Sequence, residues 1–102
     1  MSPGEGKYVV GFIGIGKMGL PMATRIATHG YPVHAYDASP AALQPLCAVS
    51  GVVAAKSLAD VGRACAVVIL MLPDSAVVKK VLYDASGGLA AHLKPGAIVV
   101  AL

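Results

Sequence analysis

Charge is scarce in this chain. Asp, Glu, Lys and Arg make up 13% of its 102 residues, for a formal net charge of +3. The basic residues Lys7, Lys17, Arg25, Lys56, Arg63, Lys79, Lys80 and Lys94 are scattered, and only Lys79 and Lys80 are adjacent. Base-stacking aromatics are few as well: there is no tryptophan, one phenylalanine and four tyrosines. Without a basic stripe interleaved with aromatics, nucleic acid is excluded as a principal partner. Long apolar runs are also missing. The longest, residues 64–72, has nine residues and stops at Pro73, under half of what a membrane-spanning helix needs. No membrane partner is expected. Residues 1–7 show neither the apolar core of a signal peptide nor the arginines of a transit peptide, so the expected location is the cytoplasm. The two cysteines, Cys47 and Cys65, lie 18 residues apart with no histidine at ligand spacing, which argues against a metal site. Both fall among apolar residues and are expected to be small buried thiols in a reducing compartment.

Apolar residues, by contrast, are abundant at 57%. With so little charge, that fits a parallel sheet whose strands are covered on both faces. Residues 1–102 are long enough for one domain, and the apolar excess suggests surface that further protein normally covers.

The chain is organised around the stretch Val9-Val10-Gly11-Phe12-Ile13-Gly14-Ile15-Gly16-Lys17-Met18-Gly19, where an apolar run enters a glycine turn and leaves as a helix. Gly14, Gly16 and Gly19 have G-x-G-x-x-G spacing. The first allows a sharp turn off the strand, the second lets a pyrophosphate approach the backbone, and the third lets the helix pack against the sheet. The free N–H groups of the first helical turn then face the phosphates, with the positive end of the helix dipole. Glycine triplets also occur in ordinary loops. The strand before, the helix after, and Asp37 ending the next apolar run about 20 residues on make the fingerprint specific. Asp37 is placed to accept hydrogen bonds from the adenosine ribose, which favours NAD, and Ala38, Ser39 and Pro40 supply no arginine for a 2′-phosphate.

Residues 8–13 read as the first strand and 33–37 as the second. Between them the helix presents Met22, Ala23, Ile26 and Ala27 to the sheet and stops at Gly30, and Pro21 is expected in its first turn. Ser39 and Pro40 read as N-cap and first residue of a second helix with Leu43, Leu46 and Cys47 inward, made irregular by Pro45. Residues 52–54 form a third strand, Ser57 caps a short helix, and 66–72 is a buried fourth strand. Val77, Val78, Val81 and Leu82 line a fourth helix, and residues 97–102 form a fifth strand after a short helical turn at 89–93. His34 reads as a strand histidine rather than a catalytic one. The alternation predicts an α/β doubly wound parallel sheet, a Rossmann dinucleotide-binding fold of order 3-2-1-4-5 that breaks off after its fifth strand. Its ligand crevice lies between the first and fourth strands, which selects the turns 14–19 and 72–75.

The residues 11–23, then His29-Gly30-Tyr31, Tyr36-Asp37 and Met71-Leu72-Pro73, resemble the cofactor domain of the β-hydroxyacid dehydrogenases, the family of 3-hydroxyisobutyrate dehydrogenase and tartronate semialdehyde reductase. The resemblance runs from about residue 8 to the end. It implies cofactor contacts at Phe12, Gly14, Ile15, Gly16, Lys17, Met18, Gly19, Asp37, Leu72, Pro73 and Val77, and an NAD-dependent oxidoreductase acting on a small 3-hydroxy acid. It also implies a homo-oligomer. The family's catalytic lysine and helical second domain would lie beyond residue 102, so the chain alone is expected to bind dinucleotide weakly or not at all and not to turn over substrate, and no catalytic residue is assigned in it. Lys17 is expected to be a solvated side chain near the phosphates. An alternative reading is a non-enzymatic module that uses the same fold for assembly or dinucleotide sensing. A flavin domain shares the glycines, but Asp37 and the Met-Leu-Pro step argue against it.

Overall fold

The computed structural model describes residues 8–72, 75–83 and 88–101. Five parallel strands form one sheet, β1 (Val10–Ile13), β2 (Val33–Tyr36), β3 (Val52–Ala54), β4 (Val67–Leu70) and β5 (Ile98–Ala101), in the spatial order β3-β2-β1-β4-β5. The order matches the one expected. β3 has the expected bounds, and the other strands are one to three residues shorter than expected because a common register limits them: Val10 pairs with Val33 and Val67, and Ile13 with Tyr36 and Leu70.

Side chains alternate between the two faces of the sheet. Phe12 of β1 joins Val33 and Ala35 of β2 against Ala23 and Ala27 of α1 (Gly16–Thr28). Ile13 turns the other way, to Val68 and Leu70 of β4 and to Val61 of α3 (Leu58–Ala64). Gly11 makes this second contact possible: a Cβ there would sit 2.6 Å from Val61 Cγ1, so the bare backbone lets α3 settle onto β1. Ser57 caps α3 as expected, its Oγ accepting the Asp60 N–H at 3.2 Å. α4 (Ser75–Tyr83) lies on the same face, with Val78, Val81 and Leu82 against this cluster.

Three local expectations are corrected, at Pro21, Cys47 and Ser39, while the irregularity expected from Pro45 is present. Pro21 falls in the second turn of α1 rather than the first, because the helix already begins at Gly16. Its ring therefore removes a bond to the Lys17 carbonyl, a cost of roughly 3 kcal/mol that the packing of Ala23 and Ala27 must offset. The second helix is split into a 3₁₀ turn, Pro40–Leu43, and a single α-turn, α2 (Gln44–Cys47), with Pro45 at the start of the latter. A 3₁₀ turn winds about 120° per residue instead of 100°, so the inward stripe shifts phase. Leu43 and Leu46 are buried while Cys47 is exposed, against the expectation of two buried thiols. Finally, the Ser39 side chain makes no capping bond.

Candidate functional site

The glycine turn is stitched to both neighbouring strands. On the β2 side the Gly14 N–H donates to the Tyr36 carbonyl at 2.9 Å, and the Ile15 N–H donates to Asp37 Oδ2 at 2.8 Å. On the β4 side the Met71 N–H donates to the Ile13 carbonyl at 2.8 Å. Gly14 has φ +89°, and any Cβ on it would collide with the Met71 carbonyl oxygen, so this position demands glycine twice over. Gly19, one turn into α1, would drive a Cβ to 2.6 Å from the Gly14 carbonyl, so its absence lets the helix start against the turn.

Gly16 differs from both. A Cβ there would meet nothing within 4 Å. The space beside it is open, at the head of a helix whose first N–H groups, on Gly16, Lys17 and Met18, have no intrahelical acceptor. An anionic group fits that space, and no acidic residue stands in the first turn to compete with it.

The crevice beyond has a volume of about 560 Å³, within the size range of small-molecule and cofactor sites. Its walls are mainly apolar: Ile13, Ile15, Met18, Tyr36, Met71, Leu72, Val77 and Val81 surround Gly14, Gly16, Asp37 and Ala38. It opens between the C-terminal ends of β1 and β4, where the strand order reverses. Asp37 is the one carboxylate lining it among the described residues. Its Oδ1 accepts the Ser39 N–H at 2.9 Å, so each carboxylate oxygen already holds one backbone donor and keeps further lone-pair capacity.

Of the residues singled out from sequence, Gly14, Ile15, Gly16, Met18, Asp37, Leu72 and Val77 come together around this crevice. Phe12 does not. Its side chain is wholly buried on the α1 face of the sheet, where it supports the turn from beneath. Gly19 is buried too and shapes the turn without lining the crevice. Pro73 and the side chain of Lys17 lie outside the described residues. Sequence reasoning omitted Ile13, Tyr36, Ala38, Met71 and Val81 from the site. Tyr36 and Met71 stood inside the quoted motifs, and Val81 lies one helical turn after Val77, a spacing that already put both on one face. Among the described residues no cluster of His, Cys, Asp or Glu could hold a metal ion, and no helix is long and apolar enough to cross a membrane.

A family model described as the NAD binding domain of 6-phosphogluconate dehydrogenase matches residues 9–102. The chain is 41% identical over 91 residues to the NAD-dependent L-serine dehydrogenase of Pseudomonas aeruginosa, covering 89% of this chain and 30% of that protein. It is 37% identical over 94 residues to the mitochondrial 3-hydroxyisobutyrate dehydrogenase of Rattus norvegicus, covering 92% of this chain and 28% of that protein. Among solved structures, the 3-hydroxyisobutyrate dehydrogenase of Mycobacterium tuberculosis with L-serine superposes with a TM-score of 0.84 at 28% identity, over 93% of this chain and 31% of that one. The chain thus spans under a third of the length of these relatives. The doubly wound sheet, the glycine turn at its switch point and the match over residues 9–102 lead to one conclusion: the chain belongs to the family of the NAD binding domain of 6-phosphogluconate dehydrogenase.

Proposed function

We propose that this chain is a single dinucleotide-binding unit that holds NAD for a dehydrogenase of small 3-hydroxy acids, the substrate class named for its 3-hydroxyisobutyrate relatives. When bound, NAD would supply hydride-transfer chemistry for the substrate's hydroxyl-bearing carbon. The residues of this chain bind and orient. The α1 amides at Gly16, Lys17 and Met18 take the pyrophosphate, Asp37 takes the adenosine ribose, and Ile13, Met71, Leu72 and Val77 keep water from the apolar crevice leading toward the reacting end. The free thiols Cys47 and Cys65 fit a reducing compartment such as the cytoplasm, and the exposed apolar side chains of Ile98 and Val100 on β5 suit a homo-oligomer.

The observation that carries this reading is the Asp37 carboxylate at the crevice, followed by Ala38 and Ser39 with no cation. A 2′-phosphate there would meet like charge. At about 4 Å and an effective dielectric near 20, each unit-charge pair costs about 4 kcal/mol before solvent screening. Titration calorimetry is expected to show NAD bound at least tenfold more tightly than NADP, roughly 1.4 kcal/mol after screening. Asp37→Asn with Ala38→Arg is expected to erase that preference. NADP bound equally or more tightly by the wild-type protein would overturn the role given to Asp37.

A further inference from the structure

We infer that Asp37 is also a positioning residue for the pyrophosphate turn, acting before any ligand arrives and independently of the ribose. This rests on the dinucleotide reading above. The Asp37 carboxylate joins two segments far apart in sequence: Oδ2 accepts the Ile15 N–H at 2.8 Å across 22 residues, and Oδ1 accepts the Ser39 N–H at 2.9 Å. Ile15 is then held at both ends. Its side chain is 2% exposed in the core, and its amide is tied to β2. Gly16 follows directly, and it is the residue of the turn with open space around it, so a fixed Ile15 determines where the Gly16, Lys17 and Met18 amides point.

Without the carboxylate, the Ile15 N–H loses its acceptor at the head of α1, and the turn samples other orientations that binding must then freeze out. An acceptor with two oxygens is required. Asparagine offers one acceptor oxygen and sets an NH₂ against the other backbone donor, so it holds Ile15 or Ser39 but not both. Glutamate carries one methylene more and cannot place both oxygens at the same spots. The same carboxylate retains lone pairs for ribose hydroxyls, so the two roles coexist.

The test separates them by the sign of an effect. Removing Asp37 takes a negative charge away from the phosphate site, which by itself favours an anionic ligand. A loss of affinity for a diphosphate lacking ribose hydroxyls therefore reports positioning. Calorimetry with ADP and with 2′,3′-dideoxy-ADP is carried out on the full chain and on Asp37→Ala and Asp37→Asn, together with amide hydrogen exchange of Ile15 in the absence of nucleotide. Expected for Asp37→Ala are exchange at Ile15 faster by about tenfold and dideoxy-ADP affinity lower by about tenfold, with Asp37→Asn in between. Should Asp37→Ala fail to fold, Asp37→Asn gives both readings. Unchanged or tighter binding of dideoxy-ADP, with ADP alone weakened, would leave Asp37 as a ribose contact and overturn the positioning role. Equal Ile15 exchange in wild type and variants would overturn it too. Failure of the wild-type chain to bind either nucleotide would remove the dinucleotide reading and this inference together.

Discussion

β1 and β5 are both four-residue strands without a polar side chain, yet every residue of β1 is buried and no residue of β5 is. The difference is position. β1 has β2 and β4 on its flanks and helices over both faces, whereas β5 pairs with β4 alone. The α1 face is fully covered over β1 and β2 but not over β4 and β5, where Ile98 and Val100 stand 57% and 38% exposed beside Val67 and Ile69. An apolar hollow of about 480 Å³ opens there between β4, Val10 and the α1 residues Met22 and Ile26. The same residue types are thus core in one half of the sheet and uncovered surface in the other. Strand composition in a parallel sheet reports that a strand belongs to it, not how far it lies from the edge.

The sharpest test of this contrast is truncation on the covered side. Phe12→Ala removes a fully buried ring beneath the glycine turn and is expected to cost about 3–5 kcal/mol in urea unfolding, the range for emptying a well-packed aromatic site. A second test uses the buried thiol. Burial pushes the Cys65 thiol up from 9.0 to about 11, although the charge of Lys94 pulls it partly back. A thiol with a folded-state pKa above its unfolded one stabilises the fold fully below the unfolded value. That contribution is lost as pH rises from 9.0 through about 11, by roughly 2–3 kcal/mol in total. Denaturation midpoints measured from pH 8 to 11 are expected to fall more steeply in wild type than in Cys65→Ala.

The glycine turn gives a third, smaller effect on stability with a large effect on binding. Gly16→Val places a branched side chain at φ +49° in open space, so it is expected to destabilise the fold by only about 1–2 kcal/mol while abolishing NAD binding in calorimetry. Retained NAD affinity would remove the pyrophosphate from this turn. The smallest effect is expected at the uncovered edge. Ile98→Lys should shift stability by no more than about 0.5 kcal/mol, yet reduce self-association of the chain in sedimentation velocity, because a charge on an edge strand opposes pairing with a neighbour.

Much of the site could be read in the sequence because its requirements are local. Gly14 and Gly16 take the positive φ of a tight turn and Gly19 meets the Gly14 carbonyl, all within one strand-turn-helix unit, and residue spacing records these demands directly. Where the reading failed, a phase or a long-range contact was involved. Cys47 faces outward because Pro45 and the 3₁₀ turn before it rotate the helix stripe, and Phe12 faces the core because alternation along β1 sends it beneath the turn. Ser39 seemed a helix cap by type, but its backbone N–H is bound to Asp37 and its hydroxyl caps nothing.

The alternation of strand and helix, the glycine spacing and the right-handedness of parallel crossovers were by themselves enough to determine the sheet order and the crevice at its switch point, since each is a property of short segments or of chain chirality. Only the tertiary structure decided that Asp37 reaches across 22 residues to the Ile15 amide, and that the α1 face of β4 and β5 stays uncovered. Both depend on how distant segments meet in space. A hydrogen bond or a buried face exists only when its second partner is in place, and no run of residues carries that information alone.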